Sequence, residues 1–377
     1  MKAIINGKIL TENNVIEDKI LIFDDKIIGF CNKIAGNIEI IDAKGLYVSP
    51  GLIDIHIHGS CNCDVMDKSV TSIKTIGNAI KKNGVTSFLP TTMTMSKEDI
   101  YDALDTIRES MNIKYDGAQI LGVHLEGPFI NSRYKGAQSD KFIQLPNLPF
   151  VENYVDIIKI ISYAPEVDEN FNFTKEIKDK ADITLSIAHT NATYEEAKLA
   201  IKYGASNITH LFNAMTPLNH REMGVVGAAL TSDVFCEIIC DNIHVNPELF
   251  QFVLNNKGKD KIILITDCMR AGCMPDGKYD LGGQDVFVKD GAARLATGNL
   301  AGSVLNLNKA VYNFMKNTDL SINEAINLAS LNPARSINMH NTKGSLEIDK
   351  DADIALFDEK MNCYMSILQG EIIFNIL

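Results

Sequence analysis

The middle of the chain alternates short apolar runs with amphipathic segments, and this alternation is the feature that most constrains the fold. Eight runs have the length and composition of strands, at residues 52–58, 86–91, 119–125, 159–164, 183–188, 207–210, 234–240 and 261–266. Helical patterns lie between most of them, at 70–82, 97–111, 175–180, 193–203 and 247–255. Eight such units over roughly 220 residues match the size of a TIM barrel. The sequence therefore predicts an α/β fold built on a (β/α)8 barrel.

Both ends of the chain have a different character, because they consist of short strand-like runs without helices between them. These runs lie at 3–9, 19–23 and 26–31 near the N-terminus, and at 353–357 and 371–374 near the C-terminus. We expect residues 1–48 and 341–377 to form one small β-sandwich domain beside a barrel domain over 49–340. A chain of 377 residues that is 46% hydrophobic is large enough to bury both cores.

The first barrel strand carries the strongest local motif, PGLIDIHIHG at residues 50–59. Because side chains alternate along a strand, Asp54, His56 and His58 share one face and the isoleucines between them share the other. Two imidazoles on one strand face can bind one metal ion together. Cys61 and Cys63 follow the motif, and they are either soft metal ligands or loop residues. The absence of a second cysteine pair with zinc-site spacing favours loop residues.

Four other predicted strands end in a polar side chain of the metal-ligand or acid–base type: Glu126, His189, His210 and Asp267. Barrel active sites are built at the carboxyl ends of the strands, so these side chains are expected to meet the histidines of the first strand. Histidine and carboxylate ligands suit zinc or a similar divalent ion, which lowers the pKa of a bound water. Amide hydrolysis also needs a free carboxylate to carry a proton, and Asp267 is our candidate.

Net charge and cysteine usage limit which molecules the chain is expected to bind and in which compartment it is expected to function. The chain has 36 basic and 48 acidic residues, a formal net charge of −12. A surface this acidic argues against nucleic acid or an anionic membrane as the main partner, although basic groups gathered at one site can still bind an anionic small molecule. No apolar stretch resembles a signal peptide or a membrane span. Eight scattered cysteines favour reduced thiols, so we expect a cytoplasmic protein.

An anion-binding group is the other chemical feature of the sequence. Arg221 lies in the loop after the sixth predicted strand, and its planar guanidinium suits a phosphate or carboxylate. Taken alone, Arg221 is better interpreted as a solvated surface residue. His244 follows the seventh predicted strand. Neither a serine-nucleophile elbow nor a phosphate-binding P-loop motif occurs in the chain.

Together these motifs resemble the amidohydrolase superfamily and, within it, the N-acetylglucosamine-6-phosphate deacetylases. The resemblance covers nearly the whole chain and includes, after PGLIDIHIHG, the motifs HLEGPF, KGAQ, AHTNATYEEA, THLFNAM, REMGVVGAAL, DNIHV, ITD, GNLAGS and KGSLEIDKDADIALFD. HLEGP followed by THLFNAM is specific to the deacetylases, whereas H-x-H alone indicates only the superfamily. The function implied is hydrolysis of N-acetyl-D-glucosamine 6-phosphate to D-glucosamine 6-phosphate and acetate, by a homodimer.

The resemblance also implies residue roles. Glu126, His189 and His210 correspond to the ligands of the main metal ion, and His56 and His58 to those of a second ion. The implied cofactor is zinc, with iron or another first-row metal as alternatives, and one or two ions per subunit. Asp267 corresponds to the catalytic acid/base. Substrate-binding positions of the family correspond to Ala137, Gln138, Asn213, Ala214, Arg221, His244, Leu300, Ala301 and Gly302, with Arg221 on the phosphate.

Gln138 departs from the family pattern, because many members have histidine there. A glutamine amide donates a hydrogen bond but cannot become cationic. The choice between the glucosamine and galactosamine epimers and the number of metal ions therefore stay open. Two further alternatives remain: a cyclic amidase or deaminase of the same superfamily, which would not need Arg221, and a sugar-phosphate sensor without catalysis, which would not need Asp267.

Overall fold

The computed structural model describes residues 1–34 and 36–377 and contains the predicted TIM barrel, with parallel pairing between successive strands. Its strands are β1 (Leu52–Ile57), β2 (Val85–Pro90), β3 (Gln119–Ile120 and Val123–Glu126), β4 (Ile158–Tyr163), β5 (Thr184–Ile187), β6 (Ala205–Ile208), β7 (Phe235–Ile239) and β8 (Ile262–Ile265). The barrel closes where the Asp267 amide donates to the His56 carbonyl at 2.9 Å and the His58 amide donates to the Cys268 carbonyl at 2.8 Å.

The helices surround the barrel. Within the described residues they are α1 (Val70–Ile80), α2 (Lys97–Met111), α3 (Leu148–Val151), α4 (Asn172–Lys180), α5 (Tyr194–Tyr203), α6 (Gly224–Leu230), α7 (Glu248–Lys257), α8 (Leu307–Lys316), α9 (Ile322–Asn327) and α10 (Leu331–Ser336). The helix starts follow local chemistry: Thr193 and Glu196 form a capping box at α5. Within residues 1–34 and 36–377, each helix is too short or too polar to cross a membrane.

The two termini combine into two sheets that share an apolar core separate from that of the barrel. One sheet contains Ile27–Cys31, Ile20–Phe23, Lys2–Ile5 and Glu39–Asp42 in that order. The other contains Glu371–Asn375, Cys363–Leu368, Ile354–Phe357, Tyr47–Pro50, Lys8–Leu10 and Val15–Ile16. We propose that these sheets form the small domain expected at 1–48 and 341–377, since their strands come from both ends.

A buried group of charges, here called the terminal ion cluster, ties the C-terminal segment together. Lys343 is 2% exposed, and its Nζ lies 2.6 Å from Asp353 Oδ2 and 3.0 Å from Asp351 Oδ2. The Gln369 amide donates to the other Asp353 oxygen at 2.9 Å, and Lys26 reaches the other Asp351 oxygen at 3.1 Å. Each carboxylate oxygen in the cluster thus has a donor.

A three-stranded antiparallel sheet, which the sequence analysis did not predict, is inserted between β8 and α8. Its strands are Gly277–Leu281, Gln284–Lys289 and Ala292–Leu295. Leu281, Val286 and Val288 pack against Met93 and Met269 in a third apolar cluster. The insert therefore covers the carboxyl ends of the barrel strands, on the side of β8.

Candidate metal centre and active site

Glu126 is the centre of a buried cluster at the carboxyl end of the barrel. Its Oε1 lies 3.2 Å from His189 Nε2 and 3.1 Å from His210 Nε2. Its Oε2 lies 3.2 Å from His58 Nε2, and His56 Nε2 is 3.5 Å from Oε1. The structure thus brings all five predicted metal ligands together around one carboxylate.

The imidazole orientations show which atoms face the centre. Backbone carbonyl oxygens lie within hydrogen-bond distance of Nδ1 in His58 (Thr91, 3.1 Å), His189 (Tyr134, 2.9 Å) and His210 (Asn213, 3.1 Å). A carbonyl can only accept, so each Nδ1 carries a proton, and each Nε2 faces Glu126 with a lone pair in the neutral ring or with a second proton in the imidazolium ring. Burial lowers the pKa of His58 and of His210, but hydrogen bonds with the carboxylates of the cluster outweigh burial and raise both. In either form a positive charge lies between the imidazoles and Glu126, and it is either a proton or a metal ion bound by the lone pairs of the neutral rings.

His56 has a different second contact, because a carboxylate rather than a carbonyl holds its ring. Its Nδ1 lies 3.1 Å from Oε2 of Glu237, a fully buried residue of β7. Its Nε2 is buried without a hydrogen-bond partner. Burial lowers the pKa of His56 to about 4, so its ring is neutral and this nitrogen is free to bind a metal ion.

Asp267 completes the cluster from the end of β8. Its Oδ1 is 3.2 Å from His58 Nε2 and 3.6 Å from His56 Nε2. Burial alone would raise the pKa of this carboxyl group, but its hydrogen bond with His58 and the imidazoles beside it outweigh burial and lower the pKa to about 2. Asp267 is therefore ionised at neutral pH and able to accept a proton.

Three of these side chains sit on backbone of unusual conformation. His189, His210 and Asp267 each lie two residues beyond the end of a barrel strand and have φ of 45°, 31° and 48°. Left-handed backbone is costly for residues other than glycine and concentrates at functional sites. These turns bend the side chains over the mouth of the barrel, towards Glu126.

The donor set fits a divalent metal ion. Glu126, His189 and His210 form one group whose ligand atoms lie within 4.8 Å of one another, and His56, His58 and Glu126 form a second. A carboxylate shared between two imidazole pairs suits zinc or a similar first-row ion. A cation at the centre would bind the unpartnered His56 nitrogen and the Nε2 atoms that converge on Glu126.

A cavity of about 620 Å³ opens over the cluster. The predicted residues that line it are His58, Glu126, Ala137, Gln138, His189, His210, Asn213, Ala214, His244, Asp267, Leu300 and Gly302. His56 is buried beneath the cavity, and Ala301 is buried in the insert's apolar core. Arg221 is exposed and does not line this cavity. The structure therefore gathers every predicted site residue except Arg221 at or under one cavity.

Gln138 occupies a defined position between the cluster and a loop. Its Nε2 donates to Glu126 Oε2 at 3.0 Å and lies 3.4 Å from His189 Nε2. Its Oε1 accepts from the Thr94 amide at 2.8 Å, which fixes the orientation of the amide group. Gln138 thus presents a hydrogen-bond donor, rather than a cation, to the centre of the site.

Other cavity residues escaped the sequence analysis. Arg133, Lys135 and Arg294 line the cavity, and all three are basic. Basic residues near the surface look alike in a sequence, so only the fold distinguishes these three from the rest. Glu237 was not predicted either, although an acidic residue inside the apolar strand FCEII indicates a buried carboxyl group with a specific role.

Comparisons with known proteins agree with this architecture. The model of the amidohydrolase family matches residues 47–373. An N-acetylglucosamine-6-phosphate deacetylase of Bacillus subtilis (strain 168) is 38% identical over 333 residues, 86% of this chain and 84% of the relative. An N-acetylgalactosamine-6-phosphate deacetylase of Escherichia coli O157:H7 is 33% identical over 370 residues, 97% of each chain.

Among solved structures, an N-acetylglucosamine-6-phosphate deacetylase from Pasteurella multocida superposes with a TM-score of 0.93 at 31% identity. That likeness covers 98% of this chain and 99% of the other. A family match of this extent, joined to relatives of this identity, settles the assignment. The chain belongs to the amidohydrolase family.

Proposed function

We propose that this chain is a metal-dependent deacetylase that hydrolyses N-acetyl-D-glucosamine 6-phosphate to D-glucosamine 6-phosphate and acetate. The observation that carries the proposal is the convergence of four imidazole nitrogens and the Asp267 carboxylate on Glu126, at the floor of one cavity. The relatives named for this reaction, such as that of B. subtilis, support the choice of substrate.

The ligand set divides naturally between two positions. Glu126, His189 and His210 would hold the main ion, and His56 and His58 would hold a second ion with Glu126 as the shared ligand. Zinc is the proposed metal because neutral imidazoles and one carboxylate are the donors it prefers. When bound, a divalent ion polarises an amide carbonyl and acidifies water.

Asp267 would carry the proton during the reaction. It is ionised at neutral pH and its Oδ1 faces the centre of the cluster, so it can take a proton from the attacking water. The same oxygen can then return that proton to the leaving amine, which must be protonated to depart. Gln138 would donate its Nε2 hydrogen bond to the acetyl group or to a ligand of the metal.

The remaining cavity residues would bind the sugar and its phosphate. Ala137, Asn213 and Ala214 line the side of the cavity towards the sugar, and Leu300, Ala301 and Gly302 belong to the segment that follows the insert. We propose that the phosphate meets His244 together with Arg221, which must turn inwards from its exposed position. Arg133, Lys135 and Arg294 add positive charge to the cavity, as an anionic substrate requires.

Acetate release tests this proposal directly. N-acetylglucosamine 6-phosphate, its galactosamine epimer and the two unphosphorylated sugars would be assayed on one preparation whose metal content is measured. We expect fast release from a phosphorylated substrate, abolished by a chelator and restored by zinc. Failure with all four substrates at full metal occupancy would reject the deacetylase and favour a cyclic amidase. Tight substrate binding without acetate would favour a sensor.

N-acetyl-D-galactosamine 6-phosphate is the second candidate substrate. The relative from E. coli O157:H7 that is named for it aligns with 97% of this chain. The ratio of kcat/KM for the two epimers in the same assay decides between them. We also propose that the protein is cytoplasmic and forms a homodimer. Light scattering on the purified protein would test the homodimer.

A further inference from the structure

Two loops at the mouth of the barrel bring cysteine thiols together beside the proposed active site. Cys61 lies in the loop after β1, and Cys273 lies in the loop that runs from β8 to the insert. Backbone hydrogen bonds join the loops: the Cys61 amide donates to the Gly272 carbonyl at 2.8 Å, and the Asn62 amide donates to the Arg270 carbonyl at 2.7 Å. These two bonds bring Cys61 next to the residue that precedes Cys273.

The side chains complete this contact. The Cys273 side chain has those of Cys61 and Ser60 as neighbours, and its thiol donates to Oδ1 of Asn306 at 3.6 Å. Gly272 precedes Cys273, and a Cβ added there would overlap the sulphur of Cys268 in the same loop and lie 3.2 Å from Oγ of Ser60 in the other loop. A glycine at this position therefore lets the two loops approach each other closely. Both cysteines also have left-handed backbone, with φ of 52° for Cys61 and 62° for Cys273.

We propose that Cys61 and Cys273 are a redox-active thiol pair that closes into a reversible disulfide and fastens the loop after β1 to the loop after β8. Cys273 is exposed and Cys61 is half-buried, so a small oxidant reaches the pair from solvent. Cys268 is the competing third thiol, but it is 2% exposed and donates to the Met269 carbonyl at 3.5 Å.

The chemistry needs a low-molecular-weight disulfide such as oxidised glutathione. The thiolate of Cys273 attacks one sulphur of that disulfide, which forms a mixed disulfide and releases one glutathione thiolate. The thiolate of Cys61 then attacks the Cys273 sulphur and releases the second glutathione thiolate. Two protein thiols are oxidised by two electrons, one oxidised glutathione is reduced to two glutathiones, and these take up the two thiol protons.

The pair has two consequences that can be measured. Burial raises the pKa of the Cys273 thiol, so its thiolate becomes more abundant as pH rises and the disulfide should form faster at pH 9 than at pH 7. The loops it joins carry His58 and Asp267, which lie one and two residues beyond the ends of β1 and β8. Closing the disulfide should therefore slow the opening motions of the two segments that carry these side chains.

The test oxidises the full-length protein with glutathione disulfide and maps its cysteines by non-reducing peptide mass spectrometry. We expect a linked peptide pair containing Cys61 and Cys273, absent after dithiothreitol. Cys273→Ser and Cys61→Ser should each abolish the link, whereas Cys31→Ser, a change in the terminal sheet, should keep it. Recovery of Cys273 only as a free thiol, as a glutathione adduct or linked to Cys268 would overturn the proposal.

Hydrogen exchange on the same oxidised and reduced samples gives the second readout. Amides at 59–64 and 268–274 should exchange at least severalfold more slowly after oxidation, while those of the terminal sheets stay unchanged. Equal exchange in both states would show that a disulfide, even if formed, does not fasten the loops. Neither measurement depends on the substrate or on the metal, so their failure is distinct from failure of the deacetylase proposal.

Discussion

The barrel mouth and the terminal ion cluster both bury charged side chains, yet they satisfy them in opposite ways. In the terminal ion cluster, Lys343 lies between two aspartates and each carboxylate oxygen has a donor. At the barrel mouth, by contrast, imidazole Nε2 atoms from four histidines surround the single Glu126 carboxylate, and His56 Nε2 has no hydrogen-bond partner. Burial of charge therefore does not by itself indicate function. Incomplete hydrogen bonding indicates a site that would bind a cation, at the barrel mouth. Complete hydrogen bonding indicates a structural role, in the terminal ion cluster.

The largest effect is expected from Asp267→Asn, which removes the proton carrier and leaves the shape of the site. Turnover should fall by about 10³–10⁴-fold, because the amide cannot accept a proton from water. Metal content and the free energy of unfolding should stay near those of the parent protein. Acetate release and metal analysis check this, with Asp233→Asn, at a side chain that is 86% exposed, as the control. Near-normal turnover would remove Asp267 from the mechanism.

Lys343→Met tests the opposite half of the comparison. It leaves Asp353 buried without its cation, so the free energy of unfolding should fall by about 3–5 kcal/mol. The kcat of the folded fraction should not change, since the terminal ion cluster does not line the cavity. Urea unfolding measures the loss, and the double variant Lys343→Met/Asp353→Leu should recover part of it. A fall in kcat without a fall in stability would contradict the division of roles.

Glu237→Gln removes the carboxyl group that holds the His56 ring while keeping a similar side chain. A carboxylate that holds a ligand imidazole raises its basicity, so metal affinity should fall by about 10–100-fold. Competition with a chromogenic chelator measures the change, and Glu248→Gln on the exposed start of α7 is the control. Unchanged affinity would mean that His56 does not bind the metal or does not need Glu237 to do so.

Glu324→Gln should have the smallest effect, because its ion pair lies at the surface. Hydrogen bonds from Lys259 and Ser321 lower the pKa of Glu324 to about 2. A lowered pKa stabilises the folded state above the group's ordinary value of 4.5, and this contribution is lost as pH falls towards 2. The variant should lose less than about 1 kcal/mol at pH 7, with no difference near pH 2. Unfolding curves at both pH values check it.

The sequence predicted the barrel and its ligands because both depend on local periodicity. Alternation along β1 assigned His56 and His58 to one face, and strand ends identified Glu126 and Asp267. The insert at 277–295 was missed, since its strands are short and pair only with one another. The contact between His56 and Glu237 joins residues 181 positions apart, which no local pattern reveals. The same holds for the cations of the cavity, because Arg133 and Lys135 follow β3 whereas Arg294 lies on the last strand of the insert.

The sharing of one sheet between the two ends of the chain has a consequence for synthesis on the ribosome. The strand Tyr47–Pro50 is made before the barrel, but its partner Ile354–Phe357 emerges only after the barrel is complete. The nascent chain therefore carries an unpaired strand edge throughout translation of the barrel, and such edges are sites of aggregation. The sheet formed by both ends of the chain is completed last. A chain that ends before Ile354 would therefore contain every barrel strand but leave this strand edge unpaired.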